Sequence, residues 1–332
     1  MPLIQSERYE IAPIPIGQGG FGEVYRALDL LTEETVVIKT ILASHLYGIN
    51  EPEIRRKFFR EAVVSARLGA HCQNIVAVRD FGYDRDSSMP FFVMEYIDGT
   101  DIFDFVGEMN GRSAVNVLFQ MLLALDAAHK SGVIHSDISP DNILAEEVTG
   151  FLKLTDFGLA RLLTSQIASK GRSYSLVGGK PGYLPPLDWQ TGNRTVHSDL
   201  FGLAATIVQL VSGQLPQYKW SSGILTGPTL IEQFTNGQIT TKVVDAAEVG
   251  FHAVKREQWD EEVFLRKITN KDGRVVLFWR DIVECLQVML DDEAGTVGAI
   301  IDQLRQASAR NLASGRKKPI KKDSAKKPKQ QS

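Results

Sequence analysis

The sequence predicts an α+β fold of two lobes, a small β-rich lobe with one main helix followed by a larger helical lobe. Three observations carry that prediction: the length, a change of periodicity after Gly99, and a basic C-terminal stretch too polar to fold. The chain has 332 residues, of which 43% are hydrophobic and 23% charged, the composition of a globular protein and not of a disordered or fibrous one. At roughly 150 residues per domain this is two units or one bilobal unit, each able to bury its own core.

From about residue 8 to 95 the pattern is one of short alternating runs broken by turn residues. A glycine-rich hairpin at 17–22 is followed by predicted strands at Thr35–Thr40, Ile75–Asp80 and Phe91–Met94. One helix interrupts them. Glu53–Leu68 places Ile54, Phe58, Ala62 and Ser65/Ala66 on one face and Arg and Lys on the other, at the 3.6-residue period. After Gly99 helical periodicity takes over, in Val115–His129 and Asp199–Val211, with strand-like inserts near Ile143 and at Leu152–Leu154. The boundaries that follow are 1–97 for the small lobe, 98–312 for the helical lobe and 313–332 for a disordered basic tail. Residues 221–280 give only mixed signals.

Charge is unevenly distributed. Arg316–Ser332 holds eight basic residues against one acid, a charge of +7, so the rest of the chain carries −10. With Pro319, Pro328 and no apolar periodicity, such a stretch cannot bury enough surface to offset chain ordering. Its charge suits an acidic partner, a nucleic acid or the chain's own acidic body, and equally a solubilising role. The longest apolar run, Leu200–Val211, falls well short of the roughly 20 residues that cross a bilayer, so no membrane span is expected. Met1–Ile16 carries acids and three prolines where a secretory signal would have a basic segment and an apolar run, which points to a cytoplasmic protein. The two cysteines, Cys72 and Cys285, lack metal-ligand spacing and read as small hydrophobes.

Five segments carry chemistry. In Ile16-Gly17-Gln18-Gly19-Gly20-Phe21-Gly22-Glu23-Val24 the glycines permit a tight turn and let backbone N–H groups approach phosphates. No helix pattern follows directly, so a dinucleotide-binding unit is disfavoured, and the absence of a G-x-x-x-x-G-K-[ST] string argues against a P-loop enzyme. Val36-Val37-Ile38-Lys39 delivers one ammonium from a core strand, and Glu61 on the following helix is the expected partner. His135-Ser136-Asp137-Ile138-Ser139-Pro140-Asp141-Asn142 is followed, fourteen residues after Asn142, by Asp156-Phe157-Gly158. Asn142 and Asp156 are oxygen donors suited to Mg²⁺, and Asp137 is placed to accept a hydroxyl proton. Asp141 reads as a loop charge, not a ligand. The fifth segment, Ser198-Asp199-Leu200-Phe201-Gly202, opens a helix.

In this combination and order the segments resemble those of the eukaryotic-type (Hanks-type) serine/threonine protein kinases, which include stand-alone bacterial members. The match covers residues 8–212 well, is thin over 213–305 and stops at the tail. The resemblance implies the bilobal protein-kinase fold, with ATP and Mg²⁺ or Mn²⁺ in the cleft and transfer of the γ-phosphoryl to a protein hydroxyl. It implies that Gly17, Gly19 and Gly22 cover the phosphates, that Lys39 contacts them, and that Glu61 holds Lys39. Asp137 would be the catalytic base, and Asn142 and Asp156 the metal ligands. Met94 would back the adenine pocket, Glu95, Tyr96 and Ile97 would form the hinge that reads adenine, and Asp101 would face the ribose. Val24, Val37 and Leu144 would sandwich the ring, with Val37 replacing the usual alanine and narrowing the pocket. Asp199 would hold the loop backbone, a structural role, and His135 would pack rather than transfer protons.

Three departures from the family pattern carry information. Ser136 stands where an arginine normally precedes the base and pairs with a phosphorylated activation segment. Activity is therefore expected not to depend on phosphorylation between Asp156 and Lys180. Ser139 stands where lysine is usual and Lys180 where threonine is usual, an exchange in which Lys180 would supply the charge near the γ-phosphate. Leu187 replaces the glutamate that ends the activation segment, and Leu290–Thr296 lacks its arginine partner, a double loss that leaves no unpaired buried charge. The same departures motivate a second reading, a nucleotide-binding pseudokinase or scaffold, against which stand Lys39, Glu61, Asp137, Asn142 and Asp156. A third, a small-molecule phosphotransferase of the aminoglycoside or choline kinase type, shares the H-x-D-x-x-x-x-N loop. It generally lacks Asp156-Phe157-Gly158, the glycine loop and the 179–186 segment. The Asp137–Asn142 pattern favours serine and threonine acceptors over tyrosine.

Overall fold

The computed structural model describes residues 7–18, 22–41, 51–85, 87–106, 111–157, 161–162, 180, 182–185, 188, 191–216, 219–221, 224–226, 279–291 and 295–315. The basic tail from Arg316, Gly19, Gly158, Leu187 and the hydroxyl-bearing stretch at 164–175 lie outside them.

The small lobe is an antiparallel sheet in the spatial order β1 (Tyr9–Ile11), β3 (Gly22–Asp29), β4 (Glu34–Ile41), β6 (Pro90–Glu95), β5 (Val78–Tyr83), with β2 (Gly17–Gln18) pairing β3. The period of two divides β4 cleanly. Ile38 packs with Tyr9, Ala27, Val36 and Val93 on one face, while Val37 and Ile41 face the other, joining Phe58 and Ala62 of α1 (Glu51–Gly69). The rings of Phe58 and Phe92 meet at 4.8 Å there. Lys39 shares the face of Val37 and Ile41, so the strand that fills the core also aims the ammonium at α1.

β7 (Gly99–Asp101) and a short α2 (Ile102–Val106) lead into α3 (Gly111–Lys130). Then come β8 (Val133–Ile134), a 3₁₀ turn at Pro140–Asn142, β9 (Ile143–Glu146), β10 (Leu152–Leu154) and β11 (Arg161–Leu162). α4 (Val196–Ser212) is buried along most of its length and is closed by Gly213 in the left-handed conformation, φ 73°. β12 (Lys219–Ser221) and β13 (Ile224–Thr226) pair as a hairpin, and α5 (Trp279–Leu290) and α6 (Val297–Gly315) complete the lobe. One continuous apolar core joins α3, α4, α5 and α6 to β8–β10 and reaches Val64 and Leu68 of α1.

The observed elements bear out the bilobal α+β prediction, with one shift. The predicted strand at Ile75–Asp80 begins instead at Val78, because Asn74–Val76 turns to the other lobe. Ile75 bridges Leu154 in parallel, Val76 N–H donates to Leu154 O at 2.9 Å, and Leu154 N–H donates to Asn74 O at 2.8 Å. The buried Asn74 amide donates to Gln120 Oε1 and Leu152 O. Those bonds tie the lobes behind the cleft. Among the described residues no helix is long and apolar enough to cross a membrane, and Cys72 and Cys285 form no disulfide.

Candidate active site

On the small-lobe side, Lys39 Nζ donates to Glu61 Oε1 at 2.7 Å and to Asp156 Oδ1 at 3.1 Å, joining strand, helix and the opposite lobe through one ammonium. The Lys39 and Glu61 side chains are 15% and 8% exposed and that of Asp156 45%. Burial works to strip the proton from Lys39, but the carboxylates of Glu61 and Asp156 outweigh it and hold the lysine charged. Burial also pushes Glu61 up to about 7, with Lys39 opposing the rise. The predicted partnership is therefore present in atomic detail, and Asp156 joins it.

On the large-lobe side, the loop at 135–142 is held from beneath by Asp199 at the start of α4. Its fully buried carboxylate accepts the backbone N–H of His135 (2.9 Å) and of Ser136 (2.8 Å) and bonds His129 Nε2 at 2.8 Å. Such restraint permits two strained residues, Ser136 at φ 73° and Asp156 at φ 62°. Left-handed backbone at non-glycine residues costs on the order of 1–3 kcal/mol each and persists only where the surroundings over-determine it. Gly202 lets α4 come this close, since a Cβ there would lie 2.8 Å from Ile138 O and 3.0 Å from Tyr183 O. His135 is fully buried, its Nε2 bonds Thr155 O at 2.9 Å and its Nδ1 accepts Asp137 N–H at 3.3 Å. This is the packing role expected of it.

Asn142 orients Asp137. Its Nδ2 donates to Asp137 O at 2.7 Å and to Asp137 Oδ2 at 3.1 Å. Asp137 Oδ1, also buried, has no hydrogen-bond partner among the described residues. Burial raises the Asp137 carboxyl above its ordinary range, while His135, Lys180 and Asn142 draw it back down. Thr155 N–H donates to Asn142 O at 3.0 Å, which keeps Asp156 beside the loop. The side-chain carbonyl of Asn142 and the carboxylate of Asp156 form a hard oxygen donor set that fits Mg²⁺ or Mn²⁺. Among the described residues no three His, Cys, Asp or Glu side chains converge on a metal site, so such an ion would complete its shell with phosphate oxygens and water.

Six of the remaining predicted residues share one apolar cluster. Val24, Val37, Met94, Tyr96, Ile97 and Leu144 belong to the same cluster, with Leu144 rising from β9 to meet the small lobe. Glu95 uses its carboxylate structurally, accepting Ala77 N–H and Lys153 Nζ, each at 2.8 Å. Asp101 Oδ1 accepts the N–H groups of Phe103 and Asp104, both at 3.0 Å, so the acid expected to face the ribose also caps α2. The glycines differ. A Cβ on Gly22 would lie 2.3 Å from Thr40 O, whereas on Gly17 its nearest neighbour is Val24 Cβ at 3.8 Å. Gly22 is thus required by sheet packing, and Gly17 is not.

The exchanged pair also meets. Lys180 Nζ donates to the fully buried Ser139 Oγ at 3.0 Å and to the carboxylate of Asp141. Asp141, read from sequence as a loop charge, holds this ammonium. The Ser136 side chain is buried, and its hydroxyl has no hydrogen-bond partner among the described residues. One residue escaped the sequence reading. Arg194, 1% exposed, donates through Nη1 to Asp188 O and Asn193 O at 2.7 Å each, and Asp188 in turn accepts Ser198 Oγ at 2.5 Å. A buried arginine therefore stands beside the missing Leu187 pair and braces the start of α4 next to Asp199.

Comparison with known proteins agrees with this geometry. The protein kinase domain family matches residues 13–262. The chain is 33% identical over 214 residues to the serine/threonine-protein kinase PrkC of Bacillus subtilis, covering 64% of this chain and 31% of that protein. It is 31% identical over 227 residues to serine/threonine-protein kinase A of Synechocystis, covering 64% of this chain and 42% of that one. It is 32% identical over 220 residues to the serine/threonine-protein kinase PknB of Mycobacterium tuberculosis, covering 65% and 34%. The alignments thus span well under half the length of each relative. With a family match over three quarters of its length and a cleft assembled from the family's motifs, this chain belongs to the protein kinase domain family.

Proposed function

We propose that the chain transfers the γ-phosphoryl group of ATP to serine or threonine hydroxyls of proteins. The observation that carries this reading is Asp137 Oδ1: a buried carboxylate oxygen, oriented by Asn142 and left without a partner, across the cleft from the Lys39–Glu61 pair. In the proposed step the acceptor hydroxyl oxygen bonds the γ-phosphorus and its proton passes to Asp137 Oδ1. The bond from that phosphorus to the bridging oxygen breaks, its electron pair leaving with ADP.

The apolar walls of Val24, Val37, Met94, Ile97 and Leu144 suit an adenine ring, and Lys39 suits the α- and β-phosphates. Asn142 and Asp156 would hold Mg²⁺, which when bound neutralises phosphate charge. The serine/threonine assignment is supported by the Asp137–Asn142 loop and by the names of the relatives. Reliance on ATP and two cysteines, Cys72 and Cys285, that form no disulfide favour a cytoplasmic place of work.

Transfer of labelled γ-phosphate to the chain itself and to generic acceptor proteins tests the reading. The wild type should yield phosphoserine or phosphothreonine, and Asp137→Asn should lose at least about a thousandfold in rate. Nucleotide binding without transfer in the wild type would replace this reading with a pseudokinase scaffold.

A further inference from the structure

The geometry points to Lys180 as the cation that faces the transferred phosphoryl group, brought to the catalytic loop from a different segment and seated there by Ser139 and Asp141. This inference rests on the phosphoryl-transfer reading above. The starting point is the charge of the loop itself. Between His135 and Asn142 the only permanently charged side chains are Asp137 and Asp141, both negative. His135 spends both ring nitrogens inside the fold, on Thr155 O and on the Asp137 N–H, and Ser136 and Ser139 bring no charge. Left alone, this loop would repel a nucleotide triphosphate whose transferring group spreads negative charge over three oxygens.

Lys180 reverses that sign. Its ammonium carries three N–H donors. Two are engaged, by Ser139 Oγ and by the Asp141 carboxylate, which fix its position two residues along the loop from the proposed base. The third has no partner among the described residues and is left for a phosphate oxygen, and the side chain is still 38% exposed, so a ligand can reach it. Its charge acts directly on Asp137. Lys39 cannot serve both sides of the cleft, being held between Glu61 and Asp156. The two lysines would thus divide the triphosphate, Lys39 on the inner phosphates and Lys180 on the terminal one. Its contribution is made to the γ-phosphoryl alone, to the bound triphosphate and more strongly to the transition state in which that group is transferred.

Four forms of the full chain test this: wild type, Lys180→Met, Lys180→Arg, and the exchange Lys180→Thr with Ser139→Lys. Two readouts are combined, steady-state phosphate transfer and calorimetric affinities for ADP and for a non-hydrolysable ATP analogue with Mg²⁺. Lys180→Met should lower kcat about a hundredfold, as loss of one preorganised donor does, and raise the KM for ATP about tenfold. It should also lose about tenfold of the preference for triphosphate over diphosphate. Lys180→Arg should keep most of both, and the exchange variant should recover at least about tenfold of the lost rate. A Lys180→Met protein that turns over within threefold of wild type, or that keeps the wild-type preference for triphosphate, overturns the inference. Should the wild type transfer no phosphate, the functional proposal fails by itself. The preference for triphosphate then decides Lys180: lost in the methionine variant it stands, unchanged it falls.

Discussion

Lys39 and Lys180 each bring one ammonium to the same cleft, and the protein holds them in opposite ways. Lys39 rises from a strand whose neighbours Val37 and Ile41 are core residues, and it is clasped by two carboxylates within 3.1 Å, its side chain 15% exposed. Lys180 is 38% exposed and meets one hydroxyl and one carboxylate that is itself 63% exposed. The buried lysine is therefore part of what folds the small lobe onto the large one. The exposed lysine can be removed at little cost to the core, leaving the buried Ser139 hydroxyl without its cation.

The sharpest test of that contrast is thermal unfolding. Lys39→Met leaves Glu61 buried without its cation, and breaking a buried pair from one side costs about 3 kcal/mol, roughly 10 °C in Tm for a lobe of this size. Lys180→Met breaks an exposed ion pair and one bond to the buried Ser139 hydroxyl, together worth about 1–2 kcal/mol, and should move Tm by no more than about 5 °C. The pH dependence has a definite sign. Glu61 already sits at about 7 with Lys39 present. Without that opposing charge its folded-state value rises further, so the folded chain binds more protons than the unfolded one across neutral pH. A raised value stabilises below the unfolded pKa and is lost as pH climbs, so the Lys39→Met deficit should grow from about pH 6 to about pH 8. A deficit that is flat with pH, or equal for the two lysines, would erase the distinction. Adding Glu61→Leu to Lys39→Met should restore part of the stability, because no buried charge is then left alone.

A second comparison sets residues legible in the sequence against those that were not. Lys39, Glu61, Asp137, Asn142 and Asp156 could be named because each sits in a short motif of fixed spacing. The meeting of Ser139 with Lys180 was legible because two departures were complementary in chemistry, cation for hydroxyl. Arg194 and His129 were not legible: Arg194 serves two backbone carbonyls and His129 a distant carboxylate, and neither arrangement leaves a spacing to read. The early start assigned to the strand at Ile75 has a similar cause, since Asn74 O and Val76 N–H both spend their backbone bonds on Leu154 of β10, far along the chain. Local pattern reports which residues alternate, not which partner they find. The Arg194 brace can be measured. Arg194→Leu removes both bonds, but Asp188 O still accepts the Gly192 N–H, so a loss of roughly 1–2 kcal/mol, mainly from the Asn193 carbonyl, is expected in denaturant unfolding. Loss of transfer activity should accompany it at temperatures where the variant is still folded, because Asp188, Ser198 and Asp199 lie on one path to the loop. An unchanged midpoint would mean that water satisfies those carbonyls.

The smallest expected effect separates the two glycines that can be compared across the phosphate-side hairpin. Both occupy positions where the family resemblance implies a covering role, yet their surroundings differ. At Gly22 an added methyl would sit 2.3 Å from Thr40 O, inside the β3–β4 ladder, and the strands must part to admit it. At Gly17 the nearest atom would be 3.8 Å away, ordinary van der Waals distance, and the backbone is β-paired with Val24. Gly22→Ala should therefore cost on the order of 1–3 kcal/mol, as overpacking does. Gly17→Ala should leave Tm within about 1 °C, since loss of unfolded-chain freedom offsets what little the loop gives up. If Gly17 also touches the triphosphate, its alanine variant will raise the KM for ATP several-fold at unchanged Tm, and that split between binding and stability assigns the residue to the ligand and not to the fold.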